Sequence, residues 1–288
     1  MTPHPYTEDQ LVEQPAIGLF AALGWQTLCA LEETFGAGGT LGRETKGEVV
    51  LVERLRAALS TFNPSMPPEA ISNAIDELTR DRSAMSLEAA NREVYRLLKE
   101  GIAVSVPDRE PLTPGPSPRG RGGQTTERLR VIDWQHPENN DFLLVSQFSI
   151  TGSLYTCRPD LVGFVNGLPW VVIELKKPGV PARNAFDENL THYKQQIPAL
   201  FWYNALLIAS NGTDSRVGSL TADWGRFFEW KRIEREDEPR RVSLEVMLRG
   251  TCDRTRLLDL VENFTLFSEH KAGLVKILGQ NHQYLGVN

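Results

Sequence analysis

Asp160, Glu174 and Lys176 form the pattern Asp-x₁₃-Glu-x-Lys, two carboxylates and an ammonium set around apolar sequence. A hard divalent cation such as Mg²⁺ takes oxygen ligands and keeps several of its waters. Asp160, Glu174 and the carbonyl of Leu175 can hold one. A cation so held acidifies a bound water and neutralises charge on a phosphate under attack. Lys176 would orient that water or stabilise the pentavalent anion. The chemistry such a set suits is metal-dependent hydrolysis of a phosphodiester.

The elements that must position these groups are legible nearby. Two apolar runs, 161–165 and 168–173, flank Asn166-Gly167. Asn-Gly tolerates positive φ and is the strongest short hairpin signal. A hairpin brings Asp160, before the first strand, beside Glu174 at the end of the second. Glu174 and Lys176 are two apart and leave a strand on one face. Register constrains the pairing. With a regular two-residue loop Asp160 pairs with Ile173, and Glu174 points away. A three-residue loop (166–168), or a bulge near Pro169, sets Asp160 across from Glu174. Rim charges that solubilise an edge hairpin are the plain alternative. Against that, Trp170-Val171-Val172-Ile173 is apolar on both faces, as in a covered central strand. Charges that end a buried strand need partners.

Around this hairpin, residues 1 to about 102 read as mainly helical. Thr7-x-x-Gln10 has the form of a capping box, Pro15 kinks the helix or marks its first turn, and Gly24 stops it. Helical spacing predicts further helices over 48–62, 68–78 and from Ser86 onward. The glycine-rich stretch 36–42 lacks the Gly-Lys-Ser/Thr ending of a phosphate loop and reads as a connection. Residues 107–123 alternate proline with glycine and offer almost nothing to bury, which predicts a disordered insert. Strands are expected over 129–134 and 141–150, then the hairpin, a helix over 184–196 and a buried parallel strand over 205–210. Helix is expected again over 254–264, then a short apolar run to Leu278; His282 reads as a surface residue. Together these give an α/β sandwich core.

Bulk properties narrow the class. Of the 288 residues 41% are hydrophobic and 24% charged, as in a soluble globular protein. The net charge of −6 gives no general pull toward nucleic acid. No apolar run approaches the roughly 20 residues that span a bilayer, and the N-terminus lacks the order of a signal peptide. Cys29, Cys157 and Cys252 are odd in number and widely spaced, suggesting neither disulfide framework nor zinc site. A cytoplasmic protein without membrane attachment is expected.

The chain resembles the N-terminal endonuclease region of the restriction (R) subunit of type I restriction–modification enzymes, within the PD-(D/E)xK nuclease superfamily. The residues that carry this are Arg158-Pro159-Asp160-Leu161-Val162, Val165-Asn166-Gly167-Leu168-Pro169, Val172-Ile173-Glu174-Leu175-Lys176, the run from Tyr193 to Phe201, Leu206 to Gly212, and Gly218-Ser219-Leu220-Thr221. Upstream, Leu23-Gly24-Trp25, Leu59 to Pro64 and Ala89-Ala90-Asn91-Arg92 also fit. The resemblance implies a restriction-endonuclease-like α/β core, a mixed central sheet flanked by helices, with a mainly helical N-terminal part. It implies that Asp160, Glu174 and Lys176 are catalytic, with Asp160, Glu174, Leu175 and Glu13 on Mg²⁺. The family's Gln-x-x-x-Tyr element is matched here by Asn189-x-x-x-Tyr193, with a shorter amide.

The implied organisation is a helical part over 1–106, an insert over 107–127, a nuclease core over 128–250 and a helical connector over 251–288. In the family an ATP-driven translocase follows. No Gly-x-x-x-x-Gly-Lys-Ser/Thr sequence occurs here, so ATP would act only through motor domains not present in these residues. The implied partners are double-stranded DNA and the methyltransferase (M) and specificity (S) subunits. A stand-alone nuclease of repair or defence, and a catalytically silent docking module, are the alternatives.

Overall fold

The computed structural model describes residues 8–36, 38–107, 124–235, 237–271 and 273–288. A helical segment opens it, π-wound over Asp9–Glu13 and α-helical over Gln14–Ala22 (α1). Pro15 lies in the first turn of α1, where a missing N–H costs nothing. Thr7 of the expected capping box lies outside the described residues. Strand β1 (Gln26–Cys29) leads through a connection to α2 (Val52–Phe62), α3 (Pro68–Thr79) and α4 (Leu87–Glu100). As expected, Ser86 caps α4, its hydroxyl accepting from the Ala89 N–H at 3.3 Å. The hairpin β2 (Ile102–Pro107) and β3 (Gln124–Leu129) follows. Next come β4 (Phe142–Ser146), the short ribbon β5 (Ile150–Thr151) and β6 (Thr156–Cys157), β7 (Leu161–Val165) and β8 (Leu168–Leu175). A second partly π-wound segment, Ala185–Leu190, runs into α5 (Thr191–Gln196) and α6 (Pro198–Phe201), then β9 (Leu206–Ser210) and β10 (Ser215–Gly218). Helices α7 (Ser243–Thr251) and α8 (Arg254–Asn263), the hairpin β11 (Thr265–His270) and β12 (Gly273–Leu278), and α9 (Asn281–Val287) complete it.

Among the described residues, six strands form a mixed sheet in the order β1-β4-β7-β8-β9-β10. β1 runs parallel to β4 and β8 to β9, while the other neighbours are antiparallel. α1 packs on β1 and β4, α7 on β10, and the Ala185–Leu190 segment on β8 and β9. The architecture is therefore α/β, a mixed central sheet flanked by helices. Every residue of β7, β8 and β9 is buried, which explains why these strands read as continuous apolar runs.

The central hairpin turns through two residues, Asn166 (φ 51°) and Gly167 (φ 78°), with Val165 paired to Leu168. This turn is buried. The Asn166 amide donates to Val131 O at 3.0 Å and Asn140 Oδ1 at 2.9 Å, and its oxygen accepts from the Asp141 N–H at 2.8 Å. Gly167 O accepts from the Leu51 N–H at 2.9 Å, docking the turn on the start of α2.

Several expected boundaries move. The strand expected over 129–134 is instead the end of β3, and Arg130 to Trp134 forms no ladder. Asparagine side chains take its backbone groups. Asn63 accepts from the Arg130 N–H at 2.9 Å and donates to Arg130 O at 2.9 Å, and Asn140 accepts from the Asp133 N–H at 3.0 Å. The strand expected over 141–150 is broken after Ser146. The insert expected over 107–127 loses its last residues to a strand, because Gln124 to Glu127 pair with Val104 to Pro107. Residues 108–123, the proline-rich stretch expected to be disordered, lie outside the described residues. The N-terminal part contains β1 and β2, and the expected helical connector 251–288 contains the β11–β12 hairpin. Within that hairpin Lys276 is buried, its ammonium donating to Asn204 O. Desolvation pushes it down to about 7.

The buried turn yields a first prediction. A Cβ on Gly167 would lie 2.4 Å from Leu51 O and 2.9 Å from Leu55 N, at a φ that L-residues resist. Gly167→Ala should cost roughly 2–4 kcal/mol from positive-φ strain plus overpacking, lowering Tm by roughly 5–15 °C. Calorimetry checks this; an unchanged Tm would show that the turn relaxes freely.

Candidate active site

The register question is resolved by a bulge. Phe164 pairs with Pro169, but Gly163 pairs with Val171, so Trp170 is an extra residue in β8. Beyond it Val162 faces Val172 and Leu161 faces Ile173. Extended one residue outward, that register sets Asp160 across from Glu174. The sequence allowed an odd loop or a bulge near Pro169; the structure uses the regular Asn-Gly turn together with the bulge.

Asp160 Oδ2 accepts from the Leu175 N–H at 2.7 Å, which ties the carboxylate across the end of the hairpin. Glu174 is 3% exposed, and its Oε1 lies 4.0 Å from Lys176 Nζ and 3.4 Å from the Tyr193 hydroxyl. Lys176 Nζ donates to Asn189 Oδ1 at 2.7 Å, and Asn189 Nδ2 donates to Tyr193 OH at 3.3 Å. Glu174, Lys176, Asn189 and Tyr193 thus close a ring of polar contacts. Asn189 and Tyr193 are four apart on one helical segment, so both side chains reach the strand end together. The shorter amide of Asn189 still spans to the lysine. Lys177 is exposed and outside this ring.

Glu13 stands beside the ring and is buried at 7% exposure, not on a solvated helix face. Both its oxygens accept from Gln147 Nε2, at 3.0 and 3.1 Å. Gln147 has φ 59°, and its N–H donates to Asp160 O at 3.0 Å. This residue, missed in the sequence, connects the N-terminal carboxylate to the Asp160 backbone. Nothing in its spacing reveals that; a glutamine after an apolar strand was the only hint. Among the described residues, no three His, Cys, Asp or Glu side chains are grouped closely enough to form a cation cage. Glu13 is therefore a neighbour of the Asp160–Glu174 pair, not a third member of one cluster.

The electrostatics are those of desolvated acids. Burial, reinforced by Glu13 and Glu8 and opposed by the Leu175 N–H and Lys176, pushes Asp160 up to about 7. Burial, then the charge of Asp160, pushes Glu174 well above the carboxylate range, with Lys176 pulling the other way. Burial and the Glu174 carboxylate also raise the Tyr193 phenol, so its hydroxyl stays protonated. Glu13 is raised by burial, against the Gln147 hydrogen bond. Glu174 Oε2 is buried without a hydrogen-bond partner. An orphaned acceptor beside a second carboxylate fits a small oxygen-seeking cation. Mg²⁺ would fit such a pair, because it keeps most of its waters and needs only one or two carboxylates.

Three comparisons bear on this geometry. A family model described as the type I restriction enzyme R protein N terminus matches residues 5–226. The type I restriction enzyme HindI endonuclease subunit of Haemophilus influenzae is 34% identical over 291 residues, covering 96% of this chain and 26% of that protein. A putative type I restriction enzyme MjaIXP endonuclease subunit of Methanocaldococcus jannaschii is 26% identical, over 92% of this chain and 26% of that protein. The chain thus spans about a quarter of the length of these two relatives. No helix among the described residues is long and apolar enough to cross a membrane.

The raised carboxylates make stability depend on pH. Asp160 moves from 3.8 to about 7, so between those values the folded state holds more protons than the unfolded chain. Its contribution to stability is fully present below the unfolded value and is lost as pH rises through the folded one. A divalent cation bound there would replace those protons. Mg²⁺ at a hundred times its Kd should add about 2.7 kcal/mol, a Tm rise of roughly 5–10 °C. That rise should appear near pH 8, shrink toward pH 5 and vanish in Asp160→Asn. Scanning calorimetry with and without Mg²⁺ measures it; a Tm indifferent to the cation near pH 8 would count against the site.

Proposed function

Because the chain belongs to the type I restriction enzyme R protein N-terminal family, we propose that it is a Mg²⁺-dependent DNA endonuclease with a PD-(D/E)xK core. It would hydrolyse phosphodiester bonds in unmodified DNA as part of a complex with methyltransferase and specificity subunits. The observation that carries this is the bulge-set pairing of Asp160 with Glu174, with Lys176 held beside them by Asn189.

Asp160 and Glu174 would hold the cation, Glu174 through its orphaned oxygen, with the Leu175 carbonyl as a third ligand. When bound, Mg²⁺ supplies Lewis acidity toward the phosphate and a more acidic water. Lys176 carries no acceptor and acts as donor and charge: it orients the attacking water and stabilises negative charge on the phosphorus centre. Asn189 fixes the lysine head through its oxygen, and Tyr193 fixes Asn189 and Glu174 in turn. Water oxygen bonds to phosphorus and gives up a proton to solvent, one ester P–O bond breaks, and the departing oxygen takes a proton from solvent. Glu13, held by Gln147, adds negative potential that strengthens the hold on a cation. The intact set favours an enzyme over a silent docking module.

Nicking of supercoiled plasmid with Mg²⁺ tests the reading. Asp160→Ala should abolish it. Lys176→Ala should lower single-turnover cleavage by about 10²–10³ while cation binding persists. Lys177→Ala should act mildly, through DNA affinity alone. Equal loss from both lysine variants would show that Lys176 is not the catalytic one.

A further inference from the structure

A second concave feature lies past the edge strand β10. It is a groove of about 810 Å³ whose walls carry Arg216, Lys231, Arg232, Arg240 and Arg241 against two acids, Asp214 and Glu229. This excess of cations stands out in a chain of net charge −6. The groove is also built. Buried Asn281 accepts from the backbone N–H groups of Lys231 and Arg232, both at 3.1 Å, and donates to Arg232 O at 2.8 Å. The Ile233 and Glu234 N–H groups close on the Glu238 carboxylate. The basic segment is thereby fixed before any ligand arrives. Lys231 and Arg240 are exposed and make no ion pair among the described residues. The Ser243 hydroxyl accepts from the Ser215 N–H at 3.0 Å and so holds the lip of the groove to β10.

The groove opens at the sheet end that carries the carboxylate pair. Lys176 N–H donates to Ser210 O at 2.8 Å, Asn211 Nδ2 to Val180 O at 2.7 Å and Leu244 N–H to Gly212 O at 3.3 Å. One short loop, 211–214, therefore separates the Lys176 backbone from the groove lip. From β8 to β10 is two strand spacings, about 10 Å, a distance that about three nucleotides of one strand cover at 3.4 Å each. We propose that this groove holds the sugar–phosphate backbone of double-stranded DNA and leads it across the Asp160–Glu174 site. The proposal rests on the nuclease reading for the identity of the polyanion. Its contacts are to phosphate, so it positions DNA without reading sequence.

Fluorescence anisotropy with a labelled duplex of about three helical turns, in Ca²⁺ and at several KCl concentrations, tests it on the full chain. Lys231→Gln/Arg240→Gln should weaken binding about tenfold and lower the salt slope by about 2, one for each cation. Each single variant should remove about half of that slope change. Lys271→Gln, on the turn between β11 and β12, should change nothing, and melting curves should coincide with wild type because all three side chains are exposed. Affinity and slope unchanged in the double variant would overturn the proposal and leave the groove as a seat for an acidic protein surface. Absent wild-type binding, or equal loss in Lys271→Gln, would overturn it too. Plasmid nicking with Mg²⁺ keeps the two readings apart. Nicking with unmoved DNA affinity sinks the groove alone; groove-dependent binding without nicking sinks the nuclease reading alone.

Discussion

Side chains on a strand alternate with a period of two, and the site depends on that parity being broken once. A two-residue turn at Asn166-Gly167 and a regular ladder would set Asp160 against Ile173. The extra residue, Trp170, restores the odd count, so two acids end up across from each other. The turn itself is pinned by four residues, by Val131, Asn140 and Asp141 through the Asn166 amide and by Leu51 at Gly167. A slip of one residue would move Glu174 to the other face and break those contacts together. Register is thus over-determined at the turn and bulge, and the carboxylates inherit it.

The second consequence is electrostatic. Glu174 on a wholly buried strand, with Asp160 half-buried at the hairpin's end, is largely removed from water, and the Lys176 ammonium does not balance the two carboxylates. The raised carboxylates express that imbalance. The pair favours protons, and for a bound cation the same desolvation would become affinity. The Lys176–Asn189–Tyr193 row leans on Glu174 from the opposite side and leaves Oε2 unpartnered. Here the fold tolerates local destabilisation, from which a site that bound a divalent ion would gain.

Much of this was legible in the residues. The apolar runs gave the buried strands, Asn-Gly gave the turn, and the charged residues ending β8 marked the site. Asn189 and Tyr193 were found through a spacing that a family resemblance supplied. What sequence left open was the bulge, because bulges depend on how Pro169 and Trp170 pack against β7 and not on any short pattern. Gln147 was invisible because its left-handed backbone and its contact with Glu13 span 134 positions. The strand misplaced at 129–134 failed for a related reason: Val131 and Ile132 are core residues, but distant asparagines satisfy their neighbours' backbone. Local pattern reports burial well and reports hydrogen-bond partners poorly.

The segment beyond residue 226, where the family match ends, is joined to the core by bonds that a sequence boundary does not show. Trp25, beside Gly163 of the central sheet, donates its indole N–H to Cys252 O at 2.9 Å. Buried Lys276 reaches Asn204, whose amide holds Trp170 O at the bulge. The stretch matched by the family model and the stretch bonded into the core therefore end at different places. A polypeptide cut after residue 226 would expose the floor of its own core and orphan several buried polar groups. Any excision, fusion or domain swap that aims to carry the carboxylate site intact has to include the β11–β12 hairpin.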